Sequence, residues 1–140
     1  MTVAYVIDTS AAVRLLTSKE FDERWGQALD NGLIALCDLT ELEMLYSARS
    51  GADRYAKQER LRRLFSWTPM PDGIYVRARE VQQLLTDNGE HRSAGPVDLL
   101  VAATAELSGL VLLHYDRDFE TVAARTGQPT SWLAEPEEGG

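Results

Sequence analysis

Cysteine is nearly absent: Cys37 is the only one in 140 residues, which excludes an intramolecular disulfide and a cysteine-built metal cluster. Sitting between Leu36 and Asp38, it reads as a small core residue rather than a nucleophile. Lysine is scarce too: of the 14 basic residues only Lys19 and Lys57 are lysine, and the rest are arginine. No apolar run approaches the ~20 residues that span a bilayer, so no membrane association is expected. The opening Met-Thr-Val-Ala-Tyr-Val-Ile-Asp lacks a basic n-region and a cleavage site. It reads as a first strand rather than a signal peptide, and a cytoplasmic protein is expected. With a net charge of -8, the chain also lacks the basic stripe that marks a broad nucleic-acid-binding surface. A nuclease is not thereby excluded, because carboxylates reserved for a cation count as negative charge until the ion reverses the local sign. The preference for arginine suits phosphate and carboxylate recognition, and it equally fits a GC-rich genome.

The apolar pattern divides the chain into alternating short runs and amphipathic stretches. Strands are expected at Ala4 to Ile7, Leu33 to Leu36, Val111 to His114 and Thr130 to Leu133, with a weak edge strand at Trp67-Thr68-Pro69-Met70. Helices are expected from Ser10 to about Leu16, from Phe21 to Asp30, and from Thr40 to Ala48, the last ended by Gly51. An arginine-rich helix should follow from Asp53 to Phe65, with Tyr55, Leu61, Leu64 and Phe65 toward the core. Further helices are expected from Gly73 to Thr86, from Pro96 to Ser108, and near Phe119 to Arg125, and residues 87–95 form a polar loop. The alternation specifies one α/β domain over residues 1–134, a three-layer α/β/α sandwich around a mainly parallel sheet of four to five strands. Residues 135–140 read as a frayed tail.

Against this pattern, four acids stand where strands end or helices begin. Asp8 closes the first strand, Glu43 lies one turn into a helix, Asp98 follows Gly95-Pro96-Val97, and Asp116 follows the strand ending at His114. Each has a purely structural explanation. Asp8 can cap a helix with Thr9 and Ser10, and Thr40-Glu41-Leu42-Glu43 fits a capping box. Asp98 favours a helix dipole, and Asp116 and Asp118 flank Arg117 as turn residues. In a parallel sheet, however, ligands bind beyond the carboxyl ends of the strands, and one edge would gather all four. Carboxylates brought together repel each other unless a cation holds them, which points to a divalent-metal site. Oxygen donors without clustered His or Cys suit Mg²⁺ or Mn²⁺ rather than zinc. His91 and His114 lie in separate segments without zinc-motif spacing, and His114 reads as a strand-end hydrogen-bond donor.

Four segments carry a family resemblance across nearly the whole chain: Val-Ile-Asp-Thr-Ser-Ala at 6–11, Glu-Met-Leu-Tyr-Ser-Ala-Arg at 43–49, His-Arg-Ser-Ala-Gly-Pro-Val-Asp-Leu-Leu-Val-Ala-Ala-Thr-Ala at 91–105, and Leu-Leu-His-Tyr-Asp-Arg-Asp-Phe-Glu at 112–120. In this order they resemble a PIN domain of the VapC type, the toxin ribonuclease of bacterial toxin–antitoxin pairs. The resemblance implies carboxylate ligands at Asp8, Glu43, Asp98 and Asp116, with Asp118 a possible fifth. Glu43 is preferred over Glu41 because Met44-Leu45-Tyr46 follows it in the family's register.

What the resemblance implies functionally is a Mg²⁺- or Mn²⁺-dependent endoribonuclease acting on tRNA or ribosomal RNA. The metal would acidify a water for in-line attack and neutralise the leaving oxygen, with Asp98 or Glu43 helping to remove the water's proton. Thr9 and Ser10 are candidates to support the acidic ligands by hydrogen bonding, and Arg92 in the polar loop is the candidate phosphate contact. The resemblance further implies a VapB-type antitoxin whose C-terminal segment wraps the toxin, a homodimer, and a heterotetramer or larger complex with the antitoxin. The expected docking groove lies between the helices around Phe21 to Leu29 and Tyr55 to Phe65. Two other classes remain open. One is a PIN-like interaction module without catalysis. The other is a phosphoryl-accepting Mg²⁺ domain, which fits less well: both lysines fall in early helical segments, and Ser10 stands where a phosphatase needs its second aspartate.

Overall fold

The computed structural model describes residues 2–136; of the expected tail, residues 137–140 lie outside the described residues. Five strands, β1 (Tyr5–Ile7), β2 (Ile34–Leu36), β3 (Ser66–Trp67), β4 (Val111–His114) and β5 (Thr130–Trp132), form one sheet in the order β3-β2-β1-β4-β5. Every pairing is parallel. Seven helices connect them among the described residues: α1 (Thr9–Thr17), α2 (Asp22–Asp30), α3 (Asp38–Tyr46), α4 (Gly51–Leu64), α5 (Ile74–Asp87), α6 (Pro96–Leu107) and α7 (Arg117–Thr126). A 3₁₀ turn, Lys19–Phe21, leads into α2.

Side chains alternate across the sheet, as the two-residue period of a strand requires. Val6 and Leu112 pack with residues of α5, α6 and α7. Ile7, Ile34 and Leu113 pack on the other face with Ala11, Leu15, Trp25, Leu45 and Leu61. The expected three-layer sandwich is therefore present, with both sheet faces covered. Cys37 is fully buried, as a core residue should be. β3 is the edge strand, and Pro69 falls beyond its two paired residues.

Two expectations need correction. Tyr55 does not face the core: it is 66% exposed, whereas Leu61 and Phe65 are buried. Six residues at 100° each place Tyr55 about 120° around the helix from Leu61, while Phe65, four residues on, shares its stripe. Gly51 does not end the third helix either. That helix stops at Tyr46, and Gly51 opens α4, with Ser50 as its cap accepting from the Asp53 N–H at 3.1 Å.

Trp25 ties α2 to the far edge of the sheet. Its indole N–H donates to the Leu133 carbonyl at 2.8 Å, and its ring meets Tyr5 edge-on at 5.5 Å. Trp25→Ala should lower stability by about 3–5 kcal/mol. Trp25→Phe, which keeps most of the apolar area but orphans the carbonyl, should cost about 1–3 kcal/mol. Urea unfolding of the two variants checks both values.

Candidate metal centre

The strand order reverses direction between β1 and β4: β2 and β3 extend to one side of β1, and β4 and β5 to the other. A crevice opens at such a switch point beyond the carboxyl ends of the two strands. Asp8 and Asp116 both lie there. Asp8 follows the last residue of β1, where its N–H donates to the Leu113 carbonyl of β4 at 3.0 Å. Asp116 stands two residues past β4.

Asp8 is buried, at 5% exposure, and acts as the N-cap of α1. Its carboxylate accepts from the Ser10 and Ala11 N–H groups at 3.2 Å each, and from the Ser10 hydroxyl at 2.8 Å. Burial raises its carboxyl above the usual range; those hydrogen bonds pull the other way. Ser10 does double duty, because its hydroxyl oxygen also accepts the Tyr115 N–H at 3.0 Å. One hydroxyl thus joins the segment carrying Asp8 to the residue before Asp116.

Glu43 reaches the site from α3. Its carboxylate accepts the Thr9 hydroxyl at 2.7 Å. The expected capping box does not form, because α3 begins at Asp38 with Cys37 as its cap. Thr40 is thereby drawn inside the helix and buried, its hydroxyl against the Ile7 carbonyl at 3.5 Å. Glu43 is released from the helix end and meets Thr9 instead. Glu41 points elsewhere, to Gln58 at 3.4 Å and Arg62 at 3.7 Å on α4. Of the two glutamates, Glu43 contacts the segment after Asp8 and Glu41 contacts α4.

Asp98 occupies the first turn of α6, which packs against β1 and β4. Partial burial pushes its carboxyl from the ordinary 3.8 up to about 6, against the pull of a hydrogen bond from the Gly95 N–H. Asp8, Glu43 and Asp116 add to the rise. The four acids from four separate elements therefore share one electrostatic field. Asp118 lies two residues past Asp116. It sits in the first turn of α7, donates its N–H to Asp116 at 2.9 Å, and has its own carboxyl raised by burial and then by Asp116.

His114 is fully buried, and its Nδ1 accepts the Asp116 N–H at 3.2 Å. The neutral ring then carries its proton on Nε2, 2.7 Å from Glu120, which makes it the expected donor. Arg92 is exposed in the loop before α6, with no contact that orients it toward the acids. Arg14 went unnoticed in the sequence. Its Nη1 donates to the Ser10 carbonyl at 2.9 Å, and its guanidinium lies over the Tyr115 ring, 4.1 Å from the centroid. Its spacing of four from Ser10 is the only sequence signal that could have found it.

The donor set is all oxygen, which fits Mg²⁺ or Mn²⁺. Among the described residues, no three His, Cys, Asp or Glu stand close enough to ligate one ion together. Such a set fits an ion that keeps much of its water shell and takes one or two direct carboxylates, as Mg²⁺ commonly does.

Because the folded-state value of Asp98 lies above its unfolded value, the native state holds extra proton between about pH 4 and pH 6. Its contribution to stability therefore falls as pH rises through that window and stays unfavourable above it. In EDTA at pH 7.5, Asp98→Asn should be more stable than wild type. The gain should be on the order of 1 kcal/mol once solvent screening of this half-buried group is allowed for. At pH 4 the difference should vanish. Thermal unfolding of both proteins at the two pH values checks the sign.

Residues 5–125 match the PIN domain family. The chain is 41% identical over 136 residues to Ribonuclease VapC21 of Mycobacterium tuberculosis (strain ATCC 25618 / H37Rv), covering 97% of this chain and 98% of that protein. It is 44% identical over 132 residues to Ribonuclease VapC2 of Mycobacterium tuberculosis (strain CDC 1551 / Oshkosh), covering 92% of each. Among solved structures, DNA-bound VapBC from Salmonella typhimurium shares the fold, with a TM-score of 0.76 over 94% of this chain and 99% of that chain at 20% identity. VapBC-1 from nontypeable Haemophilus influenzae does so with the same TM-score and identity, over 96% of this chain. With similarity running through every element that brings an acid to the crevice, this chain belongs to the PIN-domain family, in the group of the VapC ribonucleases.

Proposed function

We propose that this protein is a metal-dependent endoribonuclease, the toxin of a type II toxin–antitoxin pair, with Asp8, Glu43, Asp98 and Asp116 holding Mg²⁺ or Mn²⁺. The observation that carries this reading is the gathering of four carboxylates from separate elements at the switch point of the sheet, where burial first, and then the charges of the other three, raise Asp98. Clustering of like charge against burial is costly, and a bound cation is its physical compensation. When bound, the ion supplies Lewis-acid polarisation of the scissile phosphate and a nucleophilic water at neutral pH. Removal of the water's proton falls to Asp98 or Glu43. Asp118 stands at the edge of the cluster and supports Asp116. Thr9 and Ser10 hold Glu43 and Asp8 in place through their hydroxyls. Arg92 serves as a phosphate contact from its loop, and the substrate is a tRNA or ribosomal RNA read by shape and a short single-stranded stretch.

The partner in this reading is a VapB-type antitoxin; solved relatives of the same fold are VapBC complexes. The structure offers a groove of about 390 Å³ between α1, α3 and α4. Val13, Leu16, Met44 and Leu61 line it, Lys57 and Arg60 flank it, and it opens at Thr9 and Glu43. α1, α3 and α4 form its walls, and α4 is also one of the helices expected to receive the antitoxin. An apolar antitoxin segment laid there ends at the acids, where a basic side chain would neutralise them. A homodimer, and a heterotetramer or larger with the antitoxin, completes the assembly.

The decisive experiment incubates antitoxin-free wild type and Asp98→Asn with total cellular RNA in Mg²⁺, Mn²⁺ or EDTA. Discrete fragments are expected only from wild type with metal. Absence of cleavage by folded wild type across structured RNAs would favour a non-catalytic interaction module instead. Thr9→Val, which removes the hydroxyl held by Glu43, should weaken Mg²⁺ binding by about tenfold, as measured by calorimetry.

A further inference from the structure

An acidic crevice in a chain of net charge -8 must still admit a polyanion if the ribonuclease reading is right, and the inference here rests on that reading. RNA approaching four carboxylates meets repulsion unless cations beside the crevice offset it. A cation is useful there only if it is held in place, because a free side chain gives up rotamer entropy on every binding event. Three arginines are held in ion pairs away from the crevice. Arg62 pairs with Glu41, Arg77 with Glu106 and Glu80, and Arg125 with Glu90.

Arg14 differs in what holds it. Its Nη1 donates to the Ser10 carbonyl, one turn back along α1. Its guanidinium stacks on Tyr115, the residue before Asp116. Tyr115 is itself fixed twice, by its N–H on the Ser10 hydroxyl and by edge-on contact with Trp132 at 6.0 Å. The side chain is thus anchored to both segments that carry acids across the switch point, Asp8 with Ser10 on one side and Tyr115 with Asp116 on the other. Neither anchor is an acid, so the full positive charge is kept. The carbonyl bond engages only Nη1, and the residue is exposed, so the Nε and Nη2 donors can reach an oxyanion in the bidentate fork that suits phosphate.

We propose that Arg14 is a substrate-binding residue: its guanidinium, held over the Tyr115 ring, takes a backbone phosphate of the RNA on the β4 side of the crevice. Arg92 would act from the opposite, α6 side, so the two contacts would bracket the scissile phosphate. Tyr115 is a positioning residue in this scheme, since it acts by holding Arg14.

The test measures binding of a short fluorescein-labelled, mixed-sequence single-stranded RNA by anisotropy across a salt series, in an Asp98→Asn background that binds without cleaving. Adding Arg14→Ala should weaken binding about tenfold, the loss expected for one charge-assisted contact. It should also reduce the slope of log affinity against log salt by about 0.7, the increment for one phosphate of a single strand. Arg14→Lys should keep the slope while recovering only part of the affinity. Tyr115→Leu should weaken affinity with the slope preserved, which a merely structural role for Arg14 would not produce. In the active enzyme, Arg14→Ala should raise KM while leaving kcat within a factor of about two, the pattern of a binding contact. Affinity, slope and KM all unchanged by Arg14→Ala, in a protein that binds and cleaves RNA, would overturn this assignment alone. Absence of both binding and cleavage in the parent proteins would instead overturn the ribonuclease reading, and this inference with it.

Discussion

Like charges gathered at one point repel, and the arrangement around the switch point is organised by how that repulsion is met. Asp8 caps α1, Asp116 caps α7, and Asp98 takes the Gly95 N–H in the first turn of α6. Three helix N-termini, each with unpaired N–H groups and a partial positive charge, are therefore directed at one crevice. The fourth acid, Glu43, lies inside a helix and receives a hydroxyl proton from Thr9 instead. These donors make the cluster tolerable without cancelling it, since Asp98 is still raised to about 6. Enough negative potential is left over to attract a cation. The structural explanation of the acids and the proposed functional one are thus compatible: the caps place the carboxylates at the crevice.

The rest of the fold keeps those helix ends fixed. The central strands β1 and β4 are buried on both faces and carry the apolar residues of two separate cores. The Ser10 hydroxyl stitches α1 to the segment beyond β4, at the point where sheet order leaves the greatest opening. Trp25 closes the far side by binding the carbonyl after β5. Residues whose work is electrostatic sit on loops and first turns, and residues whose work is packing sit behind them.

Where the sequence reading failed, it failed at boundaries and directions. Thr40 and Glu43 have the spacing of a capping box, but α3 starts at Asp38, because the buried Cys37 leaves β2 and turns directly into the helix. A shift of two residues removes the capping box that was the purely structural alternative for Glu43, and its carboxylate meets Thr9 instead. Tyr55 looked like a core residue because it is aromatic, yet its angle on α4 turns it to solvent. Arg14 carried no signal beyond its helical spacing from Ser10, because its partner Tyr115 is about a hundred residues away in sequence.

By itself the sequence determined the α/β alternation, the buried central strands, and the four acids at element ends. All of these follow from local hydrophobic period and turn chemistry, which act over a few residues. The order of the strands, the contacts that turn Glu43 to Thr9 and Glu41 to α4, and the hydroxyl bridge through Ser10 were decided only by the tertiary structure. So were the field that raises Asp98 and the stacking that holds Arg14. Each of these depends on groups distant in the chain, and pairwise electrostatics and packing have no local signature until the sheet brings the partners together.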